Sequence, residues 1–98
     1  MYDASSLFPI PQGGFDNFNA YLRSETKKFH SDELGHVKLS FRITTKGILT
    51  DLTVTQSASP TLDAKARELL LNGPRWLPAR HHGHEAVDGW GFVQVEFY

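Results

Sequence analysis

The stretch from Gly35 to Gln56, GHVKLSFRITTKGILTDLTVTQ, decides the fold. From Val37 to Ile43 apolar and polar residues alternate strictly, which is the period of a half-buried strand. A second strand runs from Ile48 to about Gln56, after the break at Lys46-Gly47. If Thr45 faces Ile48 across a two-residue loop, then Ile43 faces Thr50, Phe41 faces Leu52 and Leu39 faces Val54, giving one continuous apolar face. A three-residue loop would instead set Arg42 opposite Thr50 and Phe41 opposite Asp51, so the alternation favours the shorter loop.

After this hairpin, SASPTLDAKARELLLNGP carries the punctuation of a helix: Ser59 as cap, Pro60 at the first helical position and Gly73-Pro74 as a stop. Leu62, Ala66, Leu69 and Leu70 form its buried stripe. The chain closes on a third strand from Trp90 to Tyr98, where Val93, Val95 and Phe97 alternate with Gln94, Glu96 and Tyr98. Before the hairpin, Phe15, Phe18, Leu22 and Phe29, with Tyr21 alongside, recur at helical spacing while Asp16, Asn17, Arg23, Glu25, Lys27 and Lys28 lie elsewhere. That aromatic stripe reads as core. The opening MYDASSLFPIPQGG, with Pro9, Pro11, Gly13 and Gly14, reads as an extended arm.

The expectation is therefore an α+β fold. It has a three-stranded antiparallel sheet in the order 2-1-3 with two helices packed on one face, residues 1–14 as an arm and residues 15–98 as the domain. The order follows from a right-handed crossover through the second helix, which brings the third strand beside the first.

Composition narrows the function classes. The chain has 98 residues, ten basic and eleven acidic side chains and a net charge of -1, which suits one domain and offers no field for nucleic acid. Cysteine is absent, so disulfides and thiolate chemistry are excluded. No apolar run approaches the ~20 residues that span a bilayer, and the N-terminus lacks the basic and apolar parts of a signal peptide.

The segment GPRWLPARHHGH (73–84) holds the one cluster with metal-ligand residues. Adjacent histidines point different ways, so only His82 and His84 have chelating spacing, and no second shell is assembled around them. His81, His82 and His84 are expected on a solvated turn with no metal, and His30 and His36 at the surface. No serine or threonine stands in a nucleophile elbow, PQGGF holds too few glycines for a nucleotide site, and the adjacent Asp32 and Glu33 make no acid-base couple. No catalytic residue and no cofactor are expected. Trp76, between Pro74 and Leu77-Pro78, reads as a large side chain carried back under the sheet.

Four pieces in order, PQGGFDNFNAYL, GHVKLSFRITTKGILTDLTV, SPTLDAKARELL and GPRWLPARHHGHEAVDGWGFVQVEF, resemble the C-terminal domain of TonB-like energy transducers from Pro11 onward. That family reads roughly Pro-x-Gly-Gly, a Gly-x-Val-x-x-x-Phe strand, a Leu-Asp-x-x-Ala helix and Pro-x-Trp-x-Pro-Ala. The chain departs from it at Phe29-His30, where Tyr-Pro is common, and at His82-Gly83, where Asn-Gly is common. The second departure sets the histidines on a turn that relatives build from non-ligating residues.

The resemblance implies a periplasmic domain on a longer chain anchored in the inner membrane. Such a domain grips the TonB box of outer-membrane receptors and passes on energy from inner-membrane motor proteins, without cofactor or active site. The alternative is an envelope interaction or scaffold domain on a membrane-anchored sensor or peptidase-like protein. In the order 2-1-3 the last strand is an open edge, and Trp90, Phe92, Gln94, Glu96 and Tyr98 are the expected partner-binding residues for a peptide that adds as a strand. A homodimer through the same strand is the competing occupant.

Overall fold

The structure, a computed structural model, describes residues 8–29, 32–81 and 85–97. In chain order its elements are β1 (Ile10–Pro11), α1 (Gly14–Lys28), β2 (Gly35–Ile43), β3 (Leu49–Gln56), α2 (Pro60–Leu71), β4 (Trp76–Leu77), β5 (Ala79–His81), β6 (Glu85–Val87) and β7 (Gly89–Phe97). β2 lies between β3 and β7 and is antiparallel to both.

The odd positions of β2, namely Val37, Leu39, Phe41 and Ile43, are buried in one cluster with Phe18 and Leu22 of α1, Leu62, Ala66, Leu69 and Leu70 of α2, Trp76, and Val95 and Phe97 of β7. Both helices therefore cover the same face of the sheet, and each large apolar side chain removed from water there contributes on the order of 1.5–3 kcal/mol. Ser59 caps α2 by accepting from the backbone N–H of Leu62 at 3.1 Å, with Pro60 opening the first turn. Such a cap is worth about 1 kcal/mol. Gly91 lies directly across from Phe41. A Cβ at Gly91 would stand 2.3 Å from the Phe41 ring, so glycine is what lets that ring cross beneath β7 toward Trp76.

The hairpin differs from the expected register. The loop has three residues, Thr45 to Gly47: the backbone N–H of Thr44 donates to Ile48 O at 2.9 Å and that of Gly47 to Thr44 O at 2.8 Å. Gly47 has φ 80, the left-handed residue that ends a three-residue hairpin loop. Ile43 accordingly faces Leu49, not Thr50, and Arg42 faces Thr50. The preference for a two-residue loop was wrong at the turn, yet Leu39 still faces Val54, because an irregularity between Ser40 and Arg42 takes up one residue of β3. Asp51, opposite that break, has φ 53 and is the extra residue. The bulge reconciles a turn that needs Gly47 with an apolar face that needs Leu39 opposite Val54.

Three further corrections concern the ends of elements. The expected single sheet is one of three, because the arm and the proline-rich segment pair as well. β1 joins β4, with Ile10 opposite Leu77 and Pro11 opposite Trp76, and β5 joins β6 as a hairpin. Both ribbons are too short to give a periodic signal in sequence. Ile48 is outside β3 and exposed. Phe15, read as part of the core stripe, is 46% exposed and meets Trp76 edge-on, so the stripe's first residue belongs to a rim.

Candidate partner-binding edge

β2 and β7 pair through nine consecutive residues without a shift, from Gly35 opposite Phe97 to Ile43 opposite Gly89. β7 has no strand on its other side among the described residues, so its outer backbone groups form a straight, unpaired edge. β3 is the opposite edge of the sheet, but the bulge at Asp51 and a second register shift near Lys38 interrupt it. A bulge bends its strand and breaks the regular row of donors and acceptors that an added strand needs.

The side chains of β7 divide by parity. Gly91, Val95 and Phe97 are buried on the helix side, with Phe97 meeting Phe29 edge-on at 5.9 Å. Trp90, Phe92, Gln94 and Glu96 stand on the open face. Trp90 and Phe92 are 53% and 74% exposed, and the Gln94 amide donates to Glu96 Oε1 at 2.6 Å. The structure thus brings these four expected residues together on one face, while Tyr98 lies outside the described residues.

Arg42, across from Trp90 in β2, holds its guanidinium 5.8 Å from the Trp90 ring centroid. It also pairs with Asp51 at 3.7 Å and Asp88 at 4.0 Å, and Asp88 Oδ1 accepts from the Thr45 N–H at 3.2 Å. Exposed ion pairs are worth little singly. Their consequence here is positional: two carboxylates, one presented by the bulge, fix the cation that faces Trp90.

α1 runs beside the free edge of β7 and adds residues that the sequence reading did not assign to partner binding. Asn19, Leu22, Arg23 and Thr26 line a polar groove with Gln94 and Glu96. At the other end of the strand an apolar groove is lined by Phe8, Pro9, Phe15, Trp76, Trp90, Gly91 and Phe92. Periodicity shows which face of α1 is buried but not which flank meets β7, so Asn19, Arg23 and Thr26 carried no signal of their own. Phe15 could have been suspected from its place at the first turn, where a helix emerges from its core.

The titrating groups displaced from their ordinary values lie in the helix packing. Burial, reinforced by Glu25 and Glu68, raises the Tyr21 phenol, which donates to Leu69 O at 2.9 Å. The Ser57 hydroxyl, with backbone N–H groups of Ala58 and Ser59, holds the Asp63 carboxyl below its ordinary value at the start of α2. Both have structural causes and neither borders the edge. Among the described residues no group of three or more His, Cys, Asp or Glu side chains is placed to hold a metal ion. His81 ends β5, whereas His30, His82 and His84 lie outside the described residues.

Residues 30–98 match the family described as the Gram-negative bacterial TonB protein C-terminal. The chain belongs to that family. No curated protein and no solved structure matches it significantly. The family match takes in β2 through β7 with α2 and starts after α1, so PQGGFDNFNAYL lies outside it.

Proposed function

We propose that this TonB C-terminal domain is a periplasmic grip, without catalytic activity, which takes the TonB box of an outer-membrane receptor as an added strand on the outer edge of β7. The observation that carries this reading is the unbroken nine-residue pairing of β7 with β2, which leaves a straight edge on its far side. Each backbone hydrogen bond gained there is worth roughly 0.5–1.5 kcal/mol net, which suits a transient hold. Trp90, Phe92, Gln94 and Glu96 supply side-chain contacts on the open face, Asn19, Arg23 and Thr26 supply them on the α1 side, and Tyr98 is proposed as a further contact residue. On a longer chain anchored in the inner membrane, such a grip would transmit work from inner-membrane motor proteins to the receptor.

The absence of native cysteine makes a disulfide map clean. Gln94→Cys is expected to cross-link to single cysteines placed along a synthetic TonB-box peptide with a period of about two residues, the signature of a paired strand. Thr53→Cys on β3 is expected to give no such pattern. Cross-linking that favours Thr53→Cys, or shows no period at Gln94→Cys, contradicts the reading.

A further inference from the structure

We propose that a peptide added to β7 is read at two points four residues apart: a ring-sized apolar side chain opposite Gly91 and a neutral hydrogen-bonding side chain opposite Val95. This rests on the reading of the β7 edge as the receptor site and names the side chains that fix the peptide's register there. Of the eight large apolar side chains exposed among the described residues, all four aromatic ones, Phe8, Phe15, Trp90 and Phe92, line a single groove. Scattered exposed hydrophobics need no explanation, whereas a contiguous cluster marks a contact surface. Trp90 and Phe92 enter this groove from the open face of the sheet, and Phe15 and Trp76 from the helix side, so it wraps the free edge of β7 at Gly91. The occupant that fits is one already lying along that edge.

Residues directly across from each other in paired strands project to the same face. A peptide residue opposite Gly91 accordingly turns its side chain toward Phe15 and Trp76, at a position where β7 contributes no side chain of its own. No residue lining this groove carries a charge, and its volume of about 230 Å³ exceeds the roughly 150 Å³ of an apolar cavity that takes up benzene. Val95 lies four residues on (95 − 91), about 13 Å away at the rise of a strand. There the second groove also joins the two faces, Gln94 and Glu96 with Asn19, Arg23 and Thr26. Arg23 and Glu96 bring one charge of each sign, so this groove selects hydrogen-bonding capacity over net charge and suits Gln, Asn or Thr. An edge that is apolar at one end and polar at the other distinguishes one register from its neighbours.

The test is a positional scan on the unaltered chain, in which Phe replaces each position of a synthetic TonB-box peptide in turn. Affinity is measured together with the two indole N–H resonances, because both tryptophans, Trp76 and Trp90, line the apolar groove. Phe at one position is expected to tighten binding by about 5- to 20-fold, the gain of a partly buried ring, and to move both indole signals through its ring current. Gln four positions from that Phe is expected to add about 2- to 5-fold, on its N-terminal side for antiparallel addition and on its C-terminal side for parallel. Gln three or five positions away should add nothing. Phe15→Ala should remove most of the gain from Phe, and the scan itself carries the test if that variant does not fold.

Equal affinities across the scan, with peptide-induced amide shifts still on Gly89 to Phe97, overturn the two-point recognition and leave the edge as the receptor site. Shifts elsewhere, or none with any peptide, overturn both. A free chain that sediments as a dimer, and that Phe92→Asp renders monomeric, assigns the apolar groove to a second copy and overturns the proposal.

Discussion

Trp76 meets Phe15, Phe18 and Phe41 edge-on, with ring centroids 6.2, 5.4 and 5.0 Å away, and is 5% exposed. It ties α1, β2 and the β1-β4 ribbon together, yet its indole Nε1 is buried without a hydrogen-bond partner. Those two facts separate its substitutions. Trp76→Ala is expected to lower stability by ~3–5 kcal/mol, the usual cost of emptying a large aromatic site. Trp76→Phe should cost much less, because the lost ring area is partly offset by removing an unpaired donor that itself costs about 1–3 kcal/mol. Urea unfolding of the two variants checks the ranking, and equal losses would contradict it. The core role of Trp76 was legible because Gly73-Pro74 and Leu77-Pro78 bracket it in a rigid segment. Its unpaired nitrogen was not, since only three-dimensional neighbours decide whether an indole finds an acceptor.

At the scale of the elements, the turn at Gly47 shows where local and long-range demands meet. A side chain at Gly47 would suffer φ 80 and would place a Cβ 2.4 Å from the Trp76 carbonyl oxygen. Gly47→Ala is therefore expected to cost about 2 kcal/mol or more, read as a fall in the thermal midpoint. Alternation alone fixed the two strands and their shared apolar face but not the loop. A period of two carries no information on whether an extra residue is absorbed at the turn or at a bulge, and here both happened. α2 was more legible because cap, first-turn proline and stripe are all local.

Asp63 adds a pH dependence to α2, with its carboxylate accepting from Ser57 and the Ala58 N–H. Its folded pKa is lowered, so its contribution is complete above the unfolded value of about 4 and is lost as pH falls through the folded value. Asp63→Asn should lower stability by about 0.5–1 kcal/mol near neutral pH, an exposed-site figure, and the gap should close in acid. A gap that persists at pH 2 would assign the effect to packing.

At the scale of the whole molecule, sequence order and topology identified β7 as an edge, and the residues on its open face followed from alternation. What sequence could not supply was the contrast between the two edges. That contrast arises from Asp51, whose left-handed backbone breaks β3 while β7 stays in register with β2. The α1 rim at Asn19, Arg23 and Thr26 was equally hidden, because it depends on where a helix lies against a strand distant in sequence. The central claim is that a receptor peptide adds to β7, and the most direct measurement is an amide chemical-shift titration of the full chain with a synthetic TonB-box peptide. Shifts should concentrate from Gly89 to Phe97, with smaller ones at Asn19, Arg23 and Thr26; shifts running along Leu49 to Gln56, or none at saturating peptide, would contradict the account.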